Sequence, residues 1–129
     1  MKKLLFENDE IKYELENEIL VSTWKFESLD KTLIQKILKI RLDILKGNTY
    51  PFLLNIKSLK NSTKEARDIL ASKEGCQGAL CSAVLISSPA SRMISNFFIG
   101  SSRPAVPVKM FTDEIDALKW LKKIRSAGI

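Results

Sequence analysis

The chain has 129 residues, of which 45% are hydrophobic and 28% are charged, a composition typical of a single soluble globular domain. It contains no histidine, which excludes the commonest general base near neutral pH and the commonest transition-metal ligand. No apolar run approaches the roughly 20 residues that cross a bilayer, and the stretch MKKLLFENDE is too briefly apolar for a secretory signal, so we expect a cytoplasmic protein without membrane insertion.

The net charge of +6 is unevenly distributed. Residues 1–30 carry four basic and eight acidic side chains, which leaves the rest of the chain strongly basic. The lysines are spread over predicted helix faces, without the exposed aromatics or glycine-flanked loops of nucleic-acid modules. A solvated surface is therefore favoured over nucleic-acid binding, and an acidic protein partner or an anionic surface is the alternative.

The segment IKYELENEILVSTWKF alternates apolar and polar residues on both sides of residues 16–18. This pattern predicts two antiparallel strands joined by a tight turn, at the half-buried edge of a sheet. Apolar residues then recur every three or four positions from Leu33 to Leu45 and stop before Gly47. They predict a helix of about four turns that covers the sheet.

The remaining segments alternate between continuously apolar runs and amphipathic stretches. YPFLLNI predicts a central strand buried on both faces, and STKEARDILAS predicts a short helix after it. CSAVLIS and VPVKMF predict two more strands. SPASRMISNFFIG and TDEIDALKWLKKIRSAG predict two more helices, with Ser88 and Thr112 as their caps.

The predicted order is strand, strand, helix, and then three strand–helix pairs. Strands separated by helices run parallel, because a tight hairpin cannot join them. We therefore predict an α/β fold with a mixed sheet of about five strands, in which an antiparallel hairpin precedes the parallel strands, and four helices. No linker or repeat divides the chain, so residues 1–129 are predicted to form one domain with its core at about 10–127.

This order, together with FLLNIKSLKNSTKEARDIL, resembles the STAS domain, the fold of bacterial anti-sigma factor antagonists, which is similar to the SEC14-like lipid-carrier fold. The whole sequence looks closest to small uncharacterised bacterial STAS-like proteins. In antagonists the turn after the matching strand carries a serine that a partner kinase phosphorylates. Aligned without gaps from Asn55, that position is Lys64, Thr63 replaces the preceding aspartate, and Ala66 replaces a glycine. The phosphoserine switch implied by the resemblance is therefore missing at its matching position.

The nearest hydroxyls are those of Ser62 and Thr63. Ser62 with Glu65 fits the S-x-x-E capping box, which predicts Ser62 as the cap of the following helix. The alternative is that Ser62 or Thr63 is phosphorylated, because a phosphate there would lie at a helix N-terminus near Lys64 and Arg67. These four residues form the candidate surface for partner binding or phosphorylation.

A second candidate interface or pocket lies in SRMISNFFIGSSRPAVP. Its aromatic bulk exceeds one helix stripe, so Phe97 and Phe98, with Arg92 and Arg103, would suit a protein interface or the mouth of a pocket if they are exposed. Packing in the core is the favoured alternative for the two phenylalanines.

Motifs of catalysis and of cofactor binding are missing from the sequence. There is no Gly-rich phosphate fingerprint, no H-E-x-x-H and no G-x-S-x-G. The spacing of Cys76 and Cys81 fits neither a zinc nor a redox motif and predicts reduced thiols. The missing motifs therefore predict a non-enzymatic module without cofactors or metals. The resemblance to STAS domains implies a regulatory or protein-interaction role, with a kinase or anti-sigma-type regulator as partner and a homodimer as one option. The alternative is a carrier or sensor of a small apolar or anionic ligand, as the SEC14-like similarity suggests.

Overall fold

A computed structural model of the chain describes residues 2–87 and 105–126. The strands before the first helix are β1 (Lys2–Glu7), β2 (Ile11–Glu16), β3 (Ile19–Trp24) and β4 (Ser28–Leu29). They are followed by α1 (Lys31–Leu45), β5 (Tyr50–Asn55), β6 (Asn61–Ser62) and α2 (Lys64–Ala71). The last described elements are β7 (Ala79–Leu85), β8 (Val108–Phe111) and α3 (Glu114–Ser126).

Six strands form one mixed sheet in the order β1-β2-β3-β5-β7-β8. Neighbours pair antiparallel from β1 to β3 and parallel from β3 to β8. The continuously apolar β5 lies between β3 and β7, with Phe52 packed on one face of the sheet and Leu53 on the other. The predicted α/β architecture and the central position of this strand are therefore confirmed.

The prediction of about five strands, with the β2–β3 hairpin at the edge of the sheet, is corrected by a sixth strand, β1. It pairs with β2, so β2 has a hydrogen-bonded strand along each of its two edges. Ile11 and Tyr13 of β2 are buried. The register shifts between Leu4 and Phe6, which marks a β-bulge. A bulge lets two consecutive side chains share one face, and Leu5 and Phe6 both pack against the core. The run KKLLFE lacks the alternation of apolar and polar residues that predicts a strand. Its extended conformation depends instead on hydrogen bonds to β2.

Helices α1 and α2 cover one face of the sheet. The Asp30 carboxylate caps α1 by accepting from the Leu33 amide at 2.8 Å, and the chain turns left-handed at Lys46 and Gly47, where the predicted helix stops. The inner stripe of α1 includes Ile34, Ile37 and Leu38, which join Ala66 and Leu70 of α2 in the larger hydrophobic cluster.

Helix α3 covers the opposite face through Ala117 and Leu121, both fully buried against Ile19, Leu53 and Cys81. Leu118, Trp120 and Ile124 are half-buried beside them. The cap differs from the prediction, because Asp113 accepts from the Ile115 amide at 2.9 Å and replaces Thr112 in that role.

The described residues thus contain three of the four predicted helices. The predicted helix in SPASRMISNFFIG lies outside the described residues, as does its cap, Ser88. The resulting arrangement is a sheet between two helical layers, with the loops that follow β3, β5 and β8 at its carboxyl edge.

Candidate functional site: a braced basic turn and a buried arginine

Backbone hydrogen bonds join the turn after β5 to the loop after β3. The two-residue strands β4 and β6 pair in parallel, Ser28 with Asn61 and Leu29 with Ser62. On either side of this pairing, the Lys60 amide donates to the Glu27 carbonyl at 2.7 Å and the Thr63 amide donates to the Leu29 carbonyl at 3.0 Å. The start of α2 is therefore fixed by backbone hydrogen bonds before any partner binds.

Thr63, and not Ser62, is the cap of α2. The Thr63 side chain accepts from the Ala66 amide at 3.2 Å. Ser62 belongs to β6, and its hydroxyl is buried without a hydrogen-bond partner among the described residues. The capping box predicted from Ser62 and Glu65 is wrong, because pairing with β4 holds Ser62 in the strand and moves the helix start one residue further along the chain.

Basic side chains dominate the exposed part of this turn. Lys57, Lys60 and Lys64 are exposed, and Lys60 forms a 3.4 Å ion pair with Glu27 in which both side chains are about two-thirds exposed. Arg67 is half-buried and donates from Nη1 to the Ser62 carbonyl at 2.9 Å. We call residues 57–67 the carboxyl-edge surface.

The predicted site residues fall into two groups. Ser62, Thr63, Lys64 and Arg67 are brought together on the carboxyl-edge surface, Lys64 as the first residue of α2. The second group, Arg92, Phe97, Phe98 and Arg103, lies outside the described residues.

The sequence patterns do not single out Arg41, which is buried with 6% of its surface exposed. Its Nη2 donates to the carbonyls of Gly75 at 2.7 Å and Gln77 at 3.2 Å, and the guanidinium lies 4.9 Å from the centre of the Phe52 ring. Burial lowers the pKa of this guanidinium. Its burial could have been predicted from its spacing, because Arg41 lies four residues after Ile37 and four before Leu45 on the inner stripe of α1.

Arg41 lines a small cavity between the sheet and the helices α1 and α2. The cavity has a volume of about 30 Å³, and its polar lining includes Tyr13, Ser22, Cys76 and Ser82. The Tyr13 hydroxyl donates to the Ile37 carbonyl at 3.4 Å, and burial raises the pKa of this phenol, which keeps it neutral. Pockets for organic ligands usually measure roughly 300–1,000 Å³. The cavity is therefore too small for an apolar carrier function.

Metal and thiol chemistry have few candidates among residues 2–87 and 105–126. No group of three or more Cys, Asp or Glu side chains there could hold a metal ion. Cys76 and Cys81 are free thiols, and burial raises the pKa of Cys81. Within the same ranges, no helix combines the length and the hydrophobicity that a bilayer span requires.

Comparison with known proteins identifies the fold and the family. An uncharacterised protein from Shewanella loihica PV-4, of the DUF3478 family and with a SpoIIAA-like fold, superposes with a TM-score of 0.54 at 18% identity, covering 94% of this chain and 92% of that chain. This likeness shows that the chain has the predicted STAS-like fold. No curated protein matches the sequence. A family model described as a domain of unknown function, DUF7793, matches residues 13–125, and the chain belongs to this family.

Proposed function

We propose that the chain is a non-enzymatic regulatory domain that binds a protein partner through the carboxyl-edge surface. One observation carries the proposal: the β4–β6 pairing and the Thr63 cap tie the start of α2 to the neighbouring loop, while Lys60 and Lys64 stay exposed. A preorganised surface loses little conformational entropy on binding, which favours association.

The charge of this surface indicates the chemistry of the partner. Lys64 is exposed and forms no ion pair among the described residues, and the Lys60 pair with Glu27 is exposed enough to exchange for another carboxylate. Pairs of this kind contribute roughly 1 kcal/mol or less. An acidic patch on the partner would therefore meet cations that are not committed to the fold.

Phosphorylation is an optional part of the proposal, and Thr63 is the residue expected to carry it. The Thr63 side chain is exposed, whereas the Ser62 hydroxyl is buried. A phosphate on Thr63 would lie at the N-terminus of α2, where amide dipoles favour negative charge. It would also bring negative charge next to Lys64 and oppose the binding of an acidic partner.

Site-specific photo-crosslinking in the source cells tests the proposal. A crosslinking residue at position 64 is expected to capture one discrete partner, and the same residue at position 122, an exposed lysine on α3, is the matched control. Because position 64 is itself changed in the double variant Lys60→Glu, Lys64→Glu, the crosslinking residue for that test stands at the neighbouring exposed position 61. The double variant should abolish capture from there. Equal products from positions 64 and 122, or capture unchanged by the double variant, would refute the assignment of this surface.

A further inference from the structure

Arg41 is a buried cation without a carboxylate partner among the described residues. Within residues 2–87 and 105–126, its Nε has no hydrogen-bond partner, and no ion pair includes it. The titratable groups that act on it are Tyr13 and Cys76. The segments outside the described residues contain no Asp or Glu in their sequence, so no acidic side chain there completes an ion pair.

The contacts that Arg41 does make are neutral. Two backbone carbonyls and the face of Phe52 stabilise part of the guanidinium. These groups leave a net positive charge in a region that water does not solvate freely, and buried charges in proteins are as a rule paired. The guanidinium therefore has no counter-charge among the described residues.

The cavity beside Arg41 has the size and the donors for a small anion. Its volume is about 30 Å³, and roughly 10–15 Å³ is enough for one water molecule. Besides Arg41, the hydroxyl-bearing residues Ser22 and Ser82 line it, as does Tyr13, whose own proton goes to the Ile37 carbonyl. Ser22 is buried, and both serines lie on the sheet face that α1 and α2 cover, with Ser22 opposite Tyr13 and Ser82 opposite Phe52.

We propose that Arg41, with the hydroxyls of Ser22 and Ser82, forms a buried site for one small inorganic anion of about the size of chloride. The anion neutralises the guanidinium and links α1 to the sheet. This site is separate from the carboxyl-edge surface, so the proposal stands or fails independently of the proposed function.

Thermal unfolding in matched salts measures the binding. The chain is unfolded in sodium chloride and in sodium gluconate at the same ionic strength, because gluconate is too large for the cavity. A ligand that binds only the folded state raises the unfolding midpoint with its concentration. We expect the midpoint to rise with chloride and not with gluconate, and bromide-soaked crystals to show an anomalous peak next to Arg41 Nε.

Three variants separate the site from general salt effects. Arg41→Met should abolish the chloride dependence, and Lys119→Met, which removes one exposed charge from α3, should leave it intact. Ser22→Ala and Ser82→Ala keep the arginine, and each should weaken the apparent chloride affinity by roughly tenfold, the effect of one hydrogen bond to a charged group. These two variants carry the test if Arg41→Met does not fold.

Two results would overturn the proposal. One is a wild-type protein whose unfolding midpoint is the same in chloride and in gluconate. The other is a chloride response that neither serine substitution alters, combined with a bromide map that has no peak in the cavity.

Discussion

Ser62 and Thr63 are adjacent hydroxyl residues in opposite situations. The Thr63 oxygen accepts from the Ala66 amide, and the Ser62 oxygen is buried without a partner. A helix cap satisfies an amide that would otherwise lack an acceptor, and a buried hydroxyl without a partner has lost its hydrogen bonds to water. Only the Thr63 hydroxyl is therefore expected to stabilise the fold.

Thr63→Ala should lower the free energy of unfolding by about 1 kcal/mol, the usual effect of losing a cap. Ser62→Ala should leave it unchanged or raise it slightly, because the substitution removes an unsatisfied polar group. Urea denaturation followed by circular dichroism measures both variants. A larger loss for Ser62→Ala than for Thr63→Ala would mean that Ser62 is the cap after all.

Tyr13 gives the fold a dependence on alkaline pH. Burial raises the pKa of its phenol in the folded state above the ordinary value of 10.0. Above pH 10 the unfolded chain therefore loses a proton that the folded chain retains, and stability falls as the pH rises, by at most about 1.4 kcal/mol per pH unit. Below pH 10 the stabilising effect of this group is fully present.

Tyr13→Phe should remove this part of the alkaline destabilisation. The measurement is urea denaturation of the wild type and of the variant at pH 8 and at pH 11. We expect the wild type to lose more stability than the variant between the two pH values. Equal losses would show that Tyr13 does not hold its proton in the fold.

At the scale of the element, the segment between α2 and β7 requires a glycine at position 75. A Cβ at Gly75 would collide with the backbone carbonyls of Ile69 and Leu70, and the Gly75 carbonyl accepts from Arg41. The close approach of this segment to α2 therefore positions an acceptor for the buried guanidinium. At Gly47 the requirement is different, since its φ is +82° and no atom lies within 4 Å of a Cβ there.

Gly75→Ala should lower the free energy of unfolding by about 2 kcal/mol or more, because backbone must shift to admit the methyl group. Gly47→Ala, the control, should cost about 1 kcal/mol from left-handed backbone strain alone. Chemical denaturation of both variants gives the comparison. A Gly75→Ala protein as stable as the wild type would show that the segment is not packed as described.

At the scale of the whole molecule, burial is uneven across the sheet. Strands β3 and β5 are buried on both faces, whereas β1 lies at the edge, where Leu4 is 56% exposed. Amides exchange with solvent through local opening, which is easiest where few contacts must break.

Hydrogen exchange followed by mass spectrometry should therefore find the slowest amides in β3 and β5 and faster exchange in β1. The comparison within one protein serves as its own control, since all strands experience the same solvent. Exchange in β1 as slow as that in β5 would indicate that another chain covers this edge, as in the homodimer considered from the sequence.

The elements with strong local signals were predictable from the sequence. The three-to-four-residue spacing of α1 and the unbroken apolar run of β5 are properties of neighbouring residues, and each reports which faces of the element are buried. The alternation in β2 and β3 predicted their antiparallel pairing for the same reason. The positions of Ser62, Thr63, Lys64 and Arg67 at one turn also follow from the strand–turn–helix pattern.

What the sequence by itself determined is the order of these elements and the α/β class, because periodic burial is encoded locally along the chain. Only the tertiary structure decided that KKLLFE is a strand, that Thr63 replaces Ser62 as the cap, and that Arg41 is buried beside a cavity. Each of these depends on a contact between distant segments: β1 with β2, β6 with β4, and α1 with the Gly75 segment. Such contacts leave no periodic trace, because hydrogen-bonded partners across a fold need no particular spacing in sequence.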